Sequence, residues 1–101
     1  MWLFVLFDLP MKNKQERRAY TIFRKELIKG GFSQLQFSVY ARYFDCADAS
    51  NREASQIQKM LPSHGQVRIL AVTDIQFGKM KVFHGKNRSQ TEKPPDQILL
   101  F

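Results

Sequence analysis

The sequence has little cysteine, little acidic charge and no long apolar run. One cysteine, Cys46, among 101 residues excludes an internal disulfide and a cysteine metal cluster. The apolar run from Met1 to Phe7 is interrupted by Asp8 and Pro10, so it is too short to span a bilayer. No basic stretch precedes this run and no small-residue cleavage site follows it, which argues against a signal peptide. We therefore expect a cytoplasmic protein without membrane association.

The shortage of acidic residues gives the chain a basic balance. Sixteen Lys and Arg residues stand against nine Asp and Glu residues, for a net charge of +7. Such a charge favours polyanionic partners, most often nucleic acid and less often an anionic membrane, although many basic proteins bind neither. The hydrophobic fraction of 44% and the length fit one folded domain.

Hydrophobic periodicity predicts the first half of the chain. Trp2 to Phe7 has the aromatic and branched composition of a strand. Asn13 with Glu16 resembles a capping box, and Gly30-Gly31 would close the helix that follows. The apolar stripe of that helix is predicted to comprise Ala19, Ile22, Phe23 and Leu27. Residues 32–44 alternate in polarity and form either one bent strand or two short strands joined near Gln36.

The second half of the chain predicts a helix and two strands. Ser50 and Glu53 form an S-x-x-E capping box, so we expect a second helix to begin at Ser50. Residues 67–73 and 79–83 are predicted strands. Residues 85–97 read as a polar tail, and residues 98–101 are an apolar end that could pack on either copy of a dimer.

This element order predicts an α+β fold, a ferredoxin-like βαββαβ sandwich with an extra C-terminal strand. We assign residues 1–84 to this domain and residues 85–101 to a tail packing on its own or a partner's sheet. The first strand–helix–strand unit favours a right-handed crossover between parallel neighbours.

The strands carry apolar side chains on both faces, which predicts a sheet-to-sheet homodimer. In the first strand, Leu3, Val5 and Phe7 alternate with Trp2, Phe4 and Leu6. Two helices on one side of the sheet would leave a large apolar face exposed. A symmetric partner would cover that face. The alternative is that the C-terminal tail folds back over it.

Asp8 is the candidate catalytic and metal-binding residue. It directly follows the apolar first strand, at the kind of sheet edge where ligand sites gather. The alternative is that Asp8 only caps the turn into Leu9-Pro10. Mg²⁺ usually takes one or two carboxylates together with waters and phosphate oxygens, so a dimer that paired two Asp8 side chains could form its site.

Basic residues in and around the first predicted helix are the candidate nucleic-acid contacts: Lys12, Lys14, Arg17, Arg18, Arg24 and Lys25. They cannot all share one face of a helix, but several could contact a phosphate backbone together. A merely solvated basic helix is the alternative.

Several segments together resemble a known family. They are Val5-Leu6-Phe7-Asp8-Leu9-Pro10, the basic helix before Gly30-Gly31-Phe32, Gln36-Phe37-Ser38-Val39-Tyr40, Val67-Arg68-Ile69-Leu70 and Thr73-Asp74-Ile75-Gln76-Phe77-Gly78. In order and spacing they are similar to the small CRISPR-associated endoribonuclease, the non-integrase subunit of the spacer-acquisition machinery. The resemblance covers essentially the whole chain.

The resemblance implies a ferredoxin-like homodimer whose two copies of Asp8 hold a divalent metal, usually Mg²⁺. It implies cleavage of single-stranded RNA or double-stranded DNA, with Arg17, Arg18 and Phe37 matching further functional positions. It also implies a partner, the CRISPR integrase subunit, whose dimers the protein would bridge while holding DNA. Three hypotheses remain: a metal-dependent endonuclease, a non-catalytic DNA-positioning scaffold, and a toxin-like nuclease of similar fold.

Overall fold

The structure, a computed structural model, describes residues 1–95. The order of elements is β1 (Trp2–Asp8), α1 (Lys14–Lys29), β2 (Ser33–Gln36), β3 (Val39–Tyr43), α2 (Ala47–Gln58), β4 (Gln66–Val72), α3 (Asp74–Gly78), β5 (Val82–His84) and β6 (Asn87–Ser89). The predicted apolar end at residues 98–101 lies outside the described part of the chain.

Four strands form one antiparallel sheet in the order β2-β3-β1-β4. This confirms the α+β class, and the strand order is compatible with a ferredoxin-like fold. The prediction that the first two strands are parallel neighbours is wrong. The short β2–β3 hairpin places β3 between β1 and β2, so both neighbours of β1 run antiparallel to it.

Helix α1 begins and ends as its sequence predicts. The Asn13 side chain accepts a hydrogen bond from the Glu16 backbone N–H at 2.8 Å, and the Glu16 carboxylate accepts one from the Asn13 N–H at 3.2 Å. Gly31, with φ of 91°, provides the left-handed conformation that closes the helix. Phe23 and Leu27 are buried as predicted, whereas Ile22 is 53% exposed.

The prediction that Ile22 belongs to the core is wrong because the buried stripe lies further around the helix. Tyr20, which the predicted stripe omits, packs against the core and contacts the Phe7 ring at a centroid distance of 6.0 Å. Residues 32–44 form two short strands, β2 and β3, which confirms the second of the two predicted alternatives.

The predicted start of the second helix at Ser50 is wrong. Helix α2 begins at Ala47, and its N-cap residue Cys46 makes no side-chain capping bond. Ser50 is 1% exposed inside the first turn, where its hydroxyl donates to the Ala47 carbonyl at 2.9 Å. A serine bonded back to the helix can resemble a cap in sequence while lying inside the helix.

One face of the sheet packs against α1 and α2 and forms the main core. Leu3, Val5 and Phe7 of β1 project into it, as the alternation in the first strand predicts. The remaining buried members are Phe23, Leu27, Phe32, Tyr40, Phe44 and Ile57. The side chains of β1 with even numbers therefore lie on the opposite face.

The opposite face of the sheet is partly covered by α3. Phe77 is 3% exposed and stacks on Trp2 with ring centroids 4.0 Å apart and planes 7° apart. Met80 packs on the same small cluster, and the Thr91 hydroxyl donates to the Met80 carbonyl at 2.9 Å. Residues of α3 and the turn after it, which precede the predicted tail, thus cover the Trp2 end of this face.

The sequence does not predict α3. It is only five residues long, too short for a hydrophobic period, although Thr73 and Gln76 form a complete capping box. The predicted strand at residues 79–83 is wrong in its first half, because the Lys79 N–H donates to carbonyls of α3. Strand β5 begins at Val82 and pairs with β6 in a separate hairpin.

Candidate metal and nucleic-acid site

Asp8 is the last residue of β1, opposite Gln66 of β4. Its side chain is exposed and lies on the face that carries Phe4 and Leu6, away from α1 and α2. Within residues 1–95 the carboxylate accepts no hydrogen bond and forms no salt bridge. A turn-capping carboxylate would accept a backbone N–H here, so the contacts do not support the capping alternative for Asp8.

Two backbone contacts fix the position of Asp8. The Phe7 N–H donates to the Ser38 carbonyl at 3.1 Å, which joins the end of β1 to the β2–β3 turn. On the other side Gly65 has φ of 96°, and a Cβ there would lie 2.8 Å from the Asp8 carbonyl oxygen. Helix α2 ends at Gln58 and β4 begins at Gln66, so Gly65 lies at the end of the loop between them. Its observed role is close backbone packing against Asp8 and Leu9.

Asp8 borders an open cavity of about 230 Å³ at the end of the sheet. The cavity is lined by Leu6, Phe7, Asp8, Ser38, Val39, Gln66 and Arg68. Arg68 lies opposite Leu6 in the β1–β4 register, one pair away on this face from the Asp8–Gln66 pair. Arg68 is not among the site residues predicted from the sequence. The available signal in the sequence was that a charged residue interrupts the apolar run of β4.

Within residues 1–95, a single chain supplies few ligands for a metal at this cavity. Within the described residues no three His, Cys, Asp or Glu side chains cluster so as to hold an ion. Asp8 is the single carboxylate among the side chains that line the cavity. Mg²⁺ can be held by one or two carboxylates when waters and substrate phosphates complete its shell. One chain therefore supplies a single carboxylate of the one or two that such a site takes.

The basic side chains of α1 divide into two groups. Lys14, Arg18 and Lys25 are exposed, and at 3.6 residues per turn they fall within about 40° of each other around the helix axis. Together they form an outward-facing basic stripe, on the side opposite buried Phe23. Lys12 is exposed in the loop before the helix.

Arg17 and Arg24 lie at one side of this stripe. One Arg17 nitrogen, Nη1, donates to the Lys12 carbonyl at 3.2 Å and to the Met11 carbonyl at 3.4 Å, so Arg17 holds the loop between Asp8 and α1. Arg24 is half-buried, and its charge offsets part of the rise that burial causes in the pKa of the Tyr20 hydroxyl. The six predicted basic residues therefore do not form one surface.

Phe37 lies in the β2–β3 turn, next to the Ser38 carbonyl that holds the end of β1. It is 65% exposed and stacks on Tyr20, with ring centroids 6.0 Å apart and planes 20° apart. Burial and then the neighbouring Tyr40 raise the pKa of Tyr20, while Arg24 and Ser38 lower it, and the net shift is upward. An exposed aromatic ring thus accompanies Asp8 at the same end of the sheet.

Comparisons with known proteins define the class of protein that carries this fold and site. Residues 1–80, which contain every element from β1 to α3, match the family model for CRISPR associated protein Cas2. The chain therefore belongs to the Cas2 family, and the resemblance stated from the sequence is confirmed.

Several relatives carry the name CRISPR-associated endoribonuclease Cas2. Those of Flavobacterium psychrophilum and Parvibaculum lavamentivorans are each 43% identical to this chain, over all of it and over 88% and 100% of their own lengths. That of Paracidovorax avenae is 42% identical, over all of this chain and 94% of its own. No helix within residues 1–95 has the length and apolarity needed to cross a membrane.

Proposed function

We propose that two copies of this chain form a divalent-metal-dependent endoribonuclease that acts in the cytoplasm. The observation that carries this proposal is Asp8, an exposed carboxylate without a partner in residues 1–95, beside a cavity that also contains an arginine. Family membership and the names of the relatives supply the substrate class, RNA. Duplex DNA is the second substrate to be tested.

A homodimer would bury the part of the sheet that α3 leaves uncovered. Near Asp8 this face carries Leu6 and Val39, which are half-buried, and Leu70, which is 53% exposed. Removing these apolar side chains from water against a second copy would lower the free energy of the dimer. If the two-fold axis passes beside Asp8, packing two such faces would also bring the two Asp8-bearing ends of the sheets together.

The paired Asp8 carboxylates would hold Mg²⁺ or a similar divalent ion. Bound there, the ion would lower the pKa of a water and neutralise negative charge on the phosphodiester. The outward-facing basic stripe of Lys14, Arg18 and Lys25, with Lys12 beside it, would bind the RNA backbone through its phosphates. Such contacts give affinity without base specificity and weaken as salt rises.

The test compares wild type, Asp8→Ala and Asp48→Ala on single-stranded RNA and duplex DNA, with and without Mg²⁺. Asp48 is an exposed carboxylate in the first turn of α2 and serves as the matched control. We expect cleavage that needs the metal and is lost only in Asp8→Ala. Because the Asp8 carboxylate accepts no hydrogen bond and forms no salt bridge within residues 1–95, its removal should change the free energy of unfolding by less than about 0.5 kcal/mol.

Mixed dimers test whether both copies contribute to one site. When wild-type and Asp8→Ala chains are unfolded together and refolded, activity should fall with the square of the wild-type fraction. Mixtures with Asp48→Ala should keep full activity. A linear fall with Asp8→Ala would mean that each chain carries its own complete site. Equal cleavage by wild type and Asp8→Ala, or cleavage by neither, would end the catalytic proposal.

A second candidate function is a non-catalytic scaffold in spacer acquisition, which would bridge integrase dimers and hold DNA. The outward-facing basic stripe favours it, because phosphate binding needs no carboxylate. Spacer acquisition in cells that survives Asp8→Ala but is lost when Arg18 and Lys25 become Glu would support this role. An Asp8→Ala strain that acquires no spacers would contradict it.

A further inference from the structure

Arg68 is a positive charge on an otherwise apolar part of the sheet. It belongs to β4 and shares the face that carries Leu6, Val39 and Leu70. Of the other polar side chains that line the cavity, Asp8 and Gln66 form the terminal pair of the β1–β4 ladder, and Ser38 belongs to the β2–β3 turn. An arginine at this position contributes little to packing, and burying it without an anion would be costly.

The guanidinium of Arg68 has no partner within residues 1–95. Two other arginines have partners, and the first is Arg42, which donates to the Gly30 carbonyl at 2.9 Å and lies 3.6 Å from the Glu53 carboxylate. Arg17 donates to two loop carbonyls. In a single chain Arg68 is thus exposed beside the cavity with all of its N–H donors available, and in the proposed dimer, which covers this face, it would need an anionic partner.

Arg68 and Asp8 face the same cavity but do not pair with each other. In an antiparallel ladder, diagonal neighbours on one face lie about 7–8 Å apart at their Cα atoms. Asp8 and Arg68 are such a diagonal pair, and their charged ends are beyond salt-bridge distance. The separation leaves room between the two side chains for an anionic group. One side of that group would contact the Arg68 guanidinium, and its other side would face the end of the sheet that carries Asp8.

We infer that Arg68 binds a phosphate of the RNA strand at the Asp8 site and stabilises the charge that develops on it during cleavage. The inference rests on the proposed nuclease function. The Asp8 carboxylates repel a phosphodiester, whereas a guanidinium donates two parallel hydrogen bonds to phosphate oxygens. Donors aimed at oxygens that gain charge in the transition state accelerate the reaction.

The experiment compares Arg68→Gln and Arg68→Lys with a matched control, Arg52→Gln. Arg52 is exposed on α2, which packs on the other face of the sheet. Binding of a labelled single-stranded RNA is measured across a range of salt concentrations without divalent ions. Cleavage of the same RNA is then measured with Mg²⁺, and light scattering measures the oligomeric state of each variant.

In the binding assay, Arg68→Gln should weaken affinity and lower the slope of log K against log salt by about 0.7, the loss of one phosphate contact on a single strand. In the cleavage assay, its kcat/KM should fall roughly ten- to a hundredfold, as expected for a charge-assisted hydrogen bond. Arg68→Lys keeps the charge but loses the bidentate geometry, so it should restore the salt slope and only part of the rate. Arg52→Gln should behave like wild type in both assays.

The two assays separate failure of this inference from failure of the proposed function. If wild type does not cleave, the nuclease proposal fails, and the salt slope alone decides whether Arg68 contacts phosphate. If wild type cleaves and Arg68→Gln matches Arg52→Gln in slope and kcat/KM, the inference is overturned and the nuclease stands. An Arg68→Gln protein that loses its oligomeric state with an unchanged salt slope would also overturn it, assigning Arg68 to an ion pair between two copies.

Discussion

Replacing Gly65 by Ala should disturb both the stability of the protein and the position of Asp8. Gly65 has φ of 96°, which an L-residue adopts only with strain. A Cβ at this position would also lie 2.7 Å from Cδ2 of Leu9, 2.8 Å from the Asp8 carbonyl oxygen and 3.0 Å from Cα of Leu9. The Leu9 side chain can move, but the two backbone atoms belong to the chain that leaves β1.

The expected loss has two parts. Forcing an alanine into a left-handed conformation costs about 1–2 kcal/mol. Displacing well-packed atoms costs a further amount of about 1–3 kcal/mol. We therefore expect Gly65→Ala to lower the free energy of unfolding by about 2–5 kcal/mol, the sum of these two costs.

Two other glycines of the chain separate these contributions. Gly85 has φ of 64° in the β5–β6 turn, and a Cβ added there would meet no atom within 4 Å, so Gly85→Ala should show the conformational cost alone. Gly78, at the end of α3, has neither a positive φ nor an atom within 4 Å of where its Cβ would lie. Gly78→Ala should therefore be neutral or slightly stabilising.

Urea denaturation of the three variants measures these differences, and RNA cleavage at a temperature where all are folded measures the effect on Asp8. Gly65→Ala should lose the most stability and also kcat/KM, because its added methyl group pushes against the Asp8 carbonyl. If Gly65→Ala loses no more stability than Gly85→Ala, the close packing of residue 65 on Asp8 does not constrain the chain. The reasoning about how Asp8 is held would then be refuted.

Two further predictions concern the fold. Phe77→Ala should lower the free energy of unfolding by about 3–5 kcal/mol because it leaves a cavity beside Trp2. Phe83→Ala, which removes a ring that is 55% exposed, should cost far less, and similar losses for the two variants in urea denaturation would contradict the view that α3 packs against the sheet. Asn13→Ala should lower the free energy of unfolding by about 1 kcal/mol through loss of the α1 cap. Asn51 is exposed inside α2, so Asn51→Ala should be near neutral. An unchanged urea midpoint for Asn13→Ala would show that the capping box does not stabilise the fold.

Local signals in the sequence are sufficient where one short segment contains all the interacting groups. The Asn13–Glu16 capping box, the Gly30-Gly31 end of α1 and the two-sided alternation of β1 depend on residues a few positions apart, and each is present in the structure. The same kind of signal fails at Ser50, where the S-x-x-E pattern lies inside a helix that begins earlier. A hydroxyl can bond to its own helix as well as cap it, and spacing alone does not separate the two.

Composition, hydrophobic period and the order of motifs are enough to establish the α+β class, the basic α1, the position of Asp8 at the end of an apolar strand and the family resemblance. Three other features emerge only from the folded chain: α3 covers the Trp2 end of the second sheet face, Gly65 packs against the Asp8 backbone, and Arg68 faces the same cavity as Asp8. Each of these features joins residues that lie more than fifty positions apart in the sequence. Their meeting depends on strand register and loop path, which no local pattern specifies.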